Sequence, residues 1–215
     1  VGVPYCKGGI MAKNAQWRMS VEGWRETIRG WVVRHRPEDL LNVDIFYDCI
    51  PVHGDTALAE NIWSYAFEIG HRSPEFVMLL GQFLKEWTPP FTMFGGFKLD
   101  GKRRVDLKKG GIMPIFSGAR VLAIRHDIRA RSTPERLRAV TARGHAPERD
   151  IDALLDAHKT ILGAMLDQQL ADTEQGIPLS PRVVIDRLGP DARSTLKAAV
   201  GKVSIIIDLV KEGRV

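Results

Sequence analysis

The sequence is poor in cysteine, and it lacks any stretch long and apolar enough to span a membrane. Its 215 residues include 2 cysteines, Cys6 and Cys49, which are too few for a disulfide framework. Such thiols are typical of the reducing cytoplasm. A transmembrane helix needs a run of about 18 or more apolar residues, and no such run occurs. We therefore predict a cytoplasmic protein with no membrane partner.

The first residues also lack the features of a secretion signal. They read VGVPYCKGGIMAKN, without the charged stretch and following apolar stretch that a signal peptide requires. There is no initiator methionine either. These absences lead us to expect that the chain is a piece of a longer polypeptide.

Motifs of several enzyme classes are missing. The six histidines are scattered, and neither an HExxH motif nor a CxxC pair occurs, so we do not predict a zinc site. The segment FSGAR around Ser117 is not the GxSxG turn of the α/β-hydrolases. The glycine-rich phosphate loop GxxxxGK[ST] is absent as well.

The composition is that of a globular protein with a small positive charge. Hydrophobic residues make up 44% and charged residues 27% of the chain, as in ordinary soluble domains. A net charge of +5 favours anionic partners such as phosphates. An arginine-rich surface with no special partner would give the same charge, so we do not predict nucleic-acid binding from it.

Capping residues and a 3.6-residue repeat of apolar side chains predict a mostly helical chain. Start signals are Ser20, Asp55, Thr133 and the pair Ser73 and Pro74. The predicted helices cover about residues 21–36, 55–71, 73–87, 112–127, 133–144, 147–175 and 190–212. We predict a mainly α fold, α+β overall, whose last helices form a bundle.

One segment, NVDIFYDCI at residues 42–50, has the composition of a β-strand because it is rich in Val, Ile, Phe and Tyr. Asp44 and Asp48 would lie roughly 13 Å apart along such a strand, at about 3.3 Å per residue. They could not share one metal ion, but each could join acids of a neighbouring strand to hold Mg²⁺ against a triphosphate. Alternatively, both acids lie on a solvated face or cap the strand ends.

A second candidate site is the basic segment KLDGKRRVDLKKGG at residues 98–111. Lys108 and Lys109 stand before Gly110 and Gly111, directly ahead of a predicted helix. Free backbone N–H groups at a helix start suit a phosphate. A solvated basic hairpin would account for the same residues.

The opening loop YCKGGIMAKN offers a third candidate, because it combines Lys7 and Lys13 with two glycines. Such a loop could lie against a ligand phosphate. A Gly-Gly pair is a weak signal, however, and an ordinary turn accounts for it too.

Several segments, taken in order, resemble a bacterial family of nucleotidyltransferases that is similar to the uridylyltransferase domain of the PII-modifying enzyme. The first are GVPYCKGGIMAKNAQWR, WRETIRGWV and LLNVDIFYDCIPVHGD. FGGFKLDGKRRVDLKKGGIMPIFSGARVLAI and LDQQLADTEQGIPLSPRVV look like the helical substrate-binding domain that follows in that family. The resemblance covers essentially the whole chain.

The resemblance implies a truncated polymerase-β-like nucleotidyltransferase core in residues 1–55 and a helical substrate-binding domain in residues 56–215. Asp48 matches the family's aspartate on a later strand, where it would bind Mg²⁺ or take the proton of the attacking hydroxyl. Asp44 is the second candidate. The helical domain would form the wall of the acceptor site, with Lys108, Lys109 and the turn at Gly110 and Gly111 near phosphates.

The implied reaction moves a nucleoside monophosphate from an NTP to a hydroxyl of a protein or small molecule, with Mg²⁺ as cofactor of the intact enzyme. Longer family members carry upstream regulatory domains, either cyclic-nucleotide-binding or CBS domains, and we expect these in the same polypeptide. The family's Gly-Ser turn and Asp-x-Asp pair are absent here, and Ile50 stands where an arginine is frequent. We therefore predict that this chain alone is inactive. The alternative is a catalytically inactive helical module that regulates, docks a partner or forms a homodimer.

Overall fold

The computed structural model describes Tyr5, residues 8–34, Arg36 and residues 39–212. Over these residues the protein forms nine α-helices and two short strands. The helices are α1 Val21–Arg34, α2 Leu40–Tyr47, α3 Thr56–His71, α4 Pro74–Leu80, α5 Met113–Arg125, α6 Thr133–Ala142, α7 Glu148–Glu174, α8 Pro190–Gly201 and α9 Val203–Glu212. The strands are β1 Arg104–Asp106 and β2 Arg182–Val184. The prediction of a mainly α fold with a helical C-terminal part is confirmed.

The chain divides into two compact units, the first ending at Phe76 and the second beginning at Val77. The sequence predicts a domain boundary between residues 55 and 56, which assigns α3 to the helical domain. In the structure α3 packs with α1 and α2 in the first unit.

The first unit is built around aromatic side chains. Phe46 of α2 has its ring centroid 5.3 Å from that of Trp24 and 5.7 Å from that of Trp31, both on α1. Tyr47 is completely buried and donates its hydroxyl to the backbone oxygen of Ala66 at 2.6 Å. Burial raises the pKa of the Tyr47 hydroxyl far above its ordinary value. The group therefore acts as a hydrogen-bond donor inside the core.

The predicted strand at residues 42–50 is wrong, because the segment forms helix α2 and the turn after it. Val43, Phe46 and Tyr47 are its buried residues. Their spacing of three and four residues places them on one helical face. Packing of that face on the aromatic cluster outweighs the intrinsic β-preference of Val, Phe and Tyr, which is weak and depends on context.

Asp55 caps its helix as predicted, whereas the cap of α6 is Ser132, one residue before the predicted start signal Thr133. Asp55 accepts hydrogen bonds from the backbone N–H groups of Ala57 and Leu58 at the start of α3. Ser132 and Glu135 form a reciprocal capping box at the start of α6. Each cap provides acceptors for N–H groups that have no partner within the first turn of a helix.

The second unit has α5 at its centre. Ten of its residues, from Pro114 to Ile124 with one exception, are buried, and α5 packs against α6 and α9. The long helix α7 lies against α8 and α6. Strands β1 and β2 pair antiparallel with Val105 opposite Val183, and both valines are buried. The sequence did not predict these two strands.

The single helix predicted over residues 190–212 is two helices. The first, α8, ends at Gly201, and α9 begins at Val203 after the C-cap residue Lys202. Glycine has the largest backbone entropy to lose in a helix, so Gly201 is a weak point where the helix axis can change. The buried faces of both helices, including Val200 and Ile206, still belong to one core.

Candidate functional site

A groove of about 840 Å³ lies in the second unit. Its apolar lining comes from the segment before β1 and from the start of α5: Phe83, Trp87, Pro89, Pro90, Phe91, Leu99, Met113 and Pro114. Its charged lining consists of Glu86, Lys98, Asp100, Arg104, Asp106, Lys109 and Arg182. A concave site that combines an apolar wall with a few polar groups is typical of ligand binding.

Arg182 is fixed between two carboxylates in this groove. The pairing of β1 with β2 places Asp106 directly opposite Arg182. Arg182 Nη1 lies 2.8 Å from Asp100 Oδ2, and its Nε lies 3.8 Å from Asp106 Oδ2. The guanidinium therefore has its charge balanced within the protein and serves to fix both acids in place.

Asp100 is held ionised by the turn that leads into β1. Its Oδ1 accepts hydrogen bonds from the backbone N–H groups of Lys102 at 2.8 Å and Arg104 at 3.0 Å. The bond from Arg104, with those from Lys102 and Arg182, holds the pKa of Asp100 below its ordinary value despite some desolvation. The turn thus presents a fixed negative charge in the groove lining.

A buried polar network ties the groove to α7. Asp172 is fully buried, and its Oδ1 lies 3.4 Å from Arg104 Nη2. The amide of Gln168 donates to the same Oδ1 at 2.8 Å and accepts from the backbone N–H of Val184 at 2.9 Å. Arg104 is therefore held in position by a carboxylate that is in turn anchored to β2.

The glycine pair lies inside a helical turn and not free ahead of a helix start. Residues Lys108–Ile112 are a π-helical turn continuous with α5, and both Gly110 and Gly111 are buried. A Cβ on Gly110 would lie 2.8 Å from Pro90 Cγ, and one on Gly111 would lie 3.0 Å from Ile161 Cδ1. The glycines are needed because other chain segments pack directly on this backbone.

Two cations remain open to a ligand in the groove. Lys98 and Lys109 are exposed and line it, and neither has an ion-pair partner among the residues that the structure describes. Lys108 is exposed but does not line the groove. The Nε1 of Trp87 is buried without an acceptor in the described part of the chain, so a bound molecule or water could supply one. That Lys108, Lys109, Gly110 and Gly111 bind phosphate stays a prediction.

Helix α2 brings Asp44 and Asp48 closer together than a strand would. They are four residues apart, so they lie on one side of the helix with a rise of about 6 Å between them. Asp48 is the C-cap of α2, and its backbone N–H points to the carbonyl of Ile45 at 3.3 Å. Both aspartates are partly exposed and interact with other groups of the chain. Their role in catalysis and metal binding stays a prediction.

The described residues contain no group of three or more His, Cys, Asp or Glu side chains that could hold a metal ion. Two carboxylates still match the chemistry of Mg²⁺, which takes one or two from a protein when phosphate oxygens and water complete its shell. Lys13 lies with its Nζ 4.2 Å from the ring centroid of Tyr5. The other lysine of that loop, Lys7, lies outside the described residues.

Comparison with known protein families agrees with the resemblance seen in the sequence. Residues 74–212 match the family described as "Putative nucleotidyltransferase substrate binding domain", which covers more than half of the chain. The chain belongs to this substrate-binding family. Residues 1–38 match "Putative nucleotidyltransferase DUF294". Comparisons with curated proteins and with solved structures returned no match.

The whole groove lies within the segment that defines the substrate-binding family. Its lining residues run from Phe83 to Pro114 and include Arg182, all inside the match to residues 74–212. No helix in the described ranges is both long and apolar enough to cross a membrane. The match and the groove therefore identify the same part of the chain by independent routes.

Sequence reasoning missed several groove residues of this family member. It noted the lysines of the basic segment but not the acids between them, Asp100 and Asp106, which fix Arg182. The sequence did contain a signal for these acids, because one stands on each side of the basic stretch GKRRV. Acids in such positions neutralise neighbouring basic side chains. Arg182 could not have been found in this way, since its partners lie 76 or more positions away and only the β1–β2 pairing joins them.

Proposed function

We propose that this chain is the substrate-binding part of a nucleotidyltransferase that moves a nucleoside monophosphate from an NTP to a hydroxyl of a protein or small-molecule acceptor. The observation that carries the proposal is the groove of about 840 Å³ inside the segment matched to the substrate-binding family. The groove combines an apolar wall with two lysines that have no ion-pair partner among the described residues, as a substrate with an anionic part requires.

Lys98 and Lys109 supply the attraction for that anionic part. Both stand in the groove lining, whereas the charges of Arg104 and Arg182 are already balanced by carboxylates of the chain. A lysine ammonium is a flexible point charge with three donors, so it can follow a phosphate or a carboxylate without a fixed geometry. Loss of either lysine should weaken substrate binding more than it changes the rate of the bound complex.

In the intact enzyme, Asp48 would contribute a carboxylate for Mg²⁺ and accept the proton of the attacking hydroxyl, with Asp44 one helical turn away as its neighbour. Bound Mg²⁺ would neutralise the triphosphate charge. The proposal is supported by the position of the two acids on one side of α2 and by the carboxylate chemistry that Mg²⁺ prefers.

The test is a transfer assay on the complete natural polypeptide with α-labelled NTPs and Mg²⁺. We expect Asp48→Asn to abolish transfer and Lys98→Ala with Lys109→Ala to raise KM with a smaller effect on kcat. Lys159→Ala, an exposed lysine on α7 away from the groove lining, is the matched control. Unchanged transfer in Asp48→Asn would exclude Asp48 from the mechanism. Unchanged KM in the double variant would exclude the groove as the substrate-binding site.

A second candidate function is a helical interaction or regulatory module, which one feature of α7 favours. Leu162, Leu166 and Leu170 recur every four residues and are 41%, 56% and 56% exposed. Such an apolar stripe suits a second copy of the chain or a regulatory domain of the same polypeptide. Absence of transfer in the complete polypeptide, together with a dimer that Leu166→Lys dissociates in light scattering, would favour this function.

A further inference from the structure

A short hairpin beside the groove displays two large apolar side chains in water. Met93 and Phe94 stand at its tip, and both are as exposed as in an extended peptide, at 101%. Fully exposing such side chains forgoes roughly 1.5–3 kcal/mol of burial for each. Because these two side chains contribute nothing to the stability of the described chain, we infer that they contact a partner outside it.

The hairpin is ordered by its own hydrogen bonds. The N–H of Thr92 donates to Gly96 O at 2.7 Å, the N–H of Gly95 donates to Thr92 O at 2.9 Å, and Lys98 N–H donates to Pro90 O at 2.8 Å. Gly95 has a φ of 75°, which favours glycine in the turn. The tip is thus a preformed shape, and a preformed shape lowers the entropy cost of binding.

The base of the hairpin is part of the groove and its tip is not. Phe91 and Lys98 line the groove, and the rings of Phe91 and Phe97 hold the base together with centroids 5.4 Å apart. Phe94 stands three residues beyond Phe91, inside the turn that the hydrogen bond from the Gly95 N–H to Thr92 O closes. Small molecules bind in concave sites, whereas Met93 and Phe94 protrude with their full side-chain surface in water. A partner that covers the tip as well as the groove is therefore a macromolecule.

The charges around this surface indicate the chemistry of the polymer. Lys98 and Lys109 are its open cations, and Lys197 Nζ lies 3.4 Å from the position of a Cβ on Gly95 at the hairpin tip. Asp100 and Asp106 bring negative charge into the same groove. A nucleic-acid backbone carries a charge at every phosphate and would meet these acids, whereas a peptide can place carboxylates opposite the lysines and N–H donors opposite the acids.

We infer that the groove and the Met93–Phe94 tip together bind an extended acidic peptide segment with apolar side chains, as part of a protein acceptor. The part of the inference that makes the peptide an acceptor rests on the proposed function, since it names the acceptor class of that same groove. The peptide main chain lies along the hairpin, its apolar side chains cover the tip, and its carboxylates pair with Lys98 and Lys109.

The test selects peptides without assuming their sequence. A phage library of random dodecapeptides is panned on the purified chain, and the enriched peptides are synthesised with a fluorescent label for anisotropy titrations. The variants are Met93→Ser with Phe94→Ser, and Lys98→Glu. Each changes exposed residues, so folding is preserved, and circular dichroism verifies it. The controls are Leu166→Ser and Lys159→Glu on α7, which alter exposed residues of the same types elsewhere.

We expect enriched peptides to contain Asp or Glu beside Leu, Ile, Phe or Met. The tip variant and Lys98→Glu should each raise Kd by about tenfold or more, as expected for an apolar anchor or a close charge pair. The control variants should leave Kd within about twofold. The inference is overturned if no peptide enriches above background, if the enriched peptides are basic, or if they bind the tip variant with unchanged Kd.

Binding of a single-stranded oligothymidylate that depends on the tip, without peptide binding, would assign the surface to nucleic acid and overturn the inference as well. The transfer assay separates this failure from failure of the proposed function. If peptide binding fails but the complete polypeptide still labels a small-molecule hydroxyl, the transferase function stands and the peptide acceptor does not.

Discussion

Replacing Gly118 with alanine should destabilise the second unit, even though alanine is the better helix former. Gly118 is buried in α5, where α5 packs against α9. A Cβ at this position would overlap with Ile206 Cγ1 and lie 3.2 Å from its Cδ1. Carbon atoms in proteins make their best contacts at about 3.5–4.0 Å, and Ile206 is fully buried. The isoleucine or one of the two helices must therefore move.

The size of the effect follows from two opposing contributions. Adding a methyl group to a packed core costs about 1–3 kcal/mol, while exchanging glycine for alanine inside a helix gains about 1 kcal/mol. Gly163→Ala in α7 is the matched control, because nothing lies within 4 Å of a Cβ there. The control variant should have a free energy of unfolding about 1 kcal/mol above that of the wild-type protein. The free energy of unfolding of Gly118→Ala should be lower than that of the control variant by about 1–3 kcal/mol.

Guanidinium unfolding followed by circular dichroism measures both variants. Ile206→Ala in the Gly118→Ala background makes room for the new methyl group, so it should cost less there than in the wild-type protein. If Gly118→Ala unfolds at the same denaturant concentration as Gly163→Ala, the close approach of α5 and α9 does not constrain position 118 and the packing argument is refuted.

Three further predictions follow from polar groups. Asp172→Ala leaves the largely buried guanidinium of Arg104 unpaired and should lower the free energy of unfolding by about 3 kcal/mol. Adding Arg104→Met should restore part of the lost stability. Equal stability of Asp172→Ala and the wild-type protein in denaturant titrations would contradict this prediction. Tyr47→Phe removes the hydrogen bond to Ala66 and should lower the free energy of unfolding by about 1 kcal/mol in the same titration. An unchanged free energy of unfolding would show that this bond does not stabilise the protein. Because the folded-state pKa of Asp100 is depressed, its stabilisation is present above the ordinary pKa and is lost as the pH falls below about 4; thermal unfolding at a series of pH values should show a shallower acid dependence in Asp100→Asn, and identical slopes would disprove it.

The helical part of the fold was predictable because its signals are local. Asp55 and Ser73 marked real helix starts, and the long helix predicted over about residues 147–175 is α7, Glu148–Glu174. A cap depends on residues two or three positions away, and an apolar repeat within one helix needs no knowledge of the rest of the chain.

The two errors of element type arose where distant residues decide. In residues 42–50, Val, Ile, Phe and Tyr have strand propensity, but Phe46 and Tyr47 also fit a helical spacing with Val43, and packing on Trp24 and Trp31 selects the helix. Strands β1 and β2 are only three residues long each and pair across 76 positions or more. A strand of that length carries no periodic signal of its own.

The change from strand to helix at residues 42–50 alters what the acids of that segment can do together. On a strand, Asp44 and Asp48 would be about 13 Å apart and would each need a different partner. On α2 they are separated by one helical turn, with a rise of about 6 Å, so both carboxylates can act on the same ligand. Both acids also interact with other groups of the chain. That the pair forms one site stays a prediction, and the sequence argument that first singled out these residues assumed the wrong secondary structure.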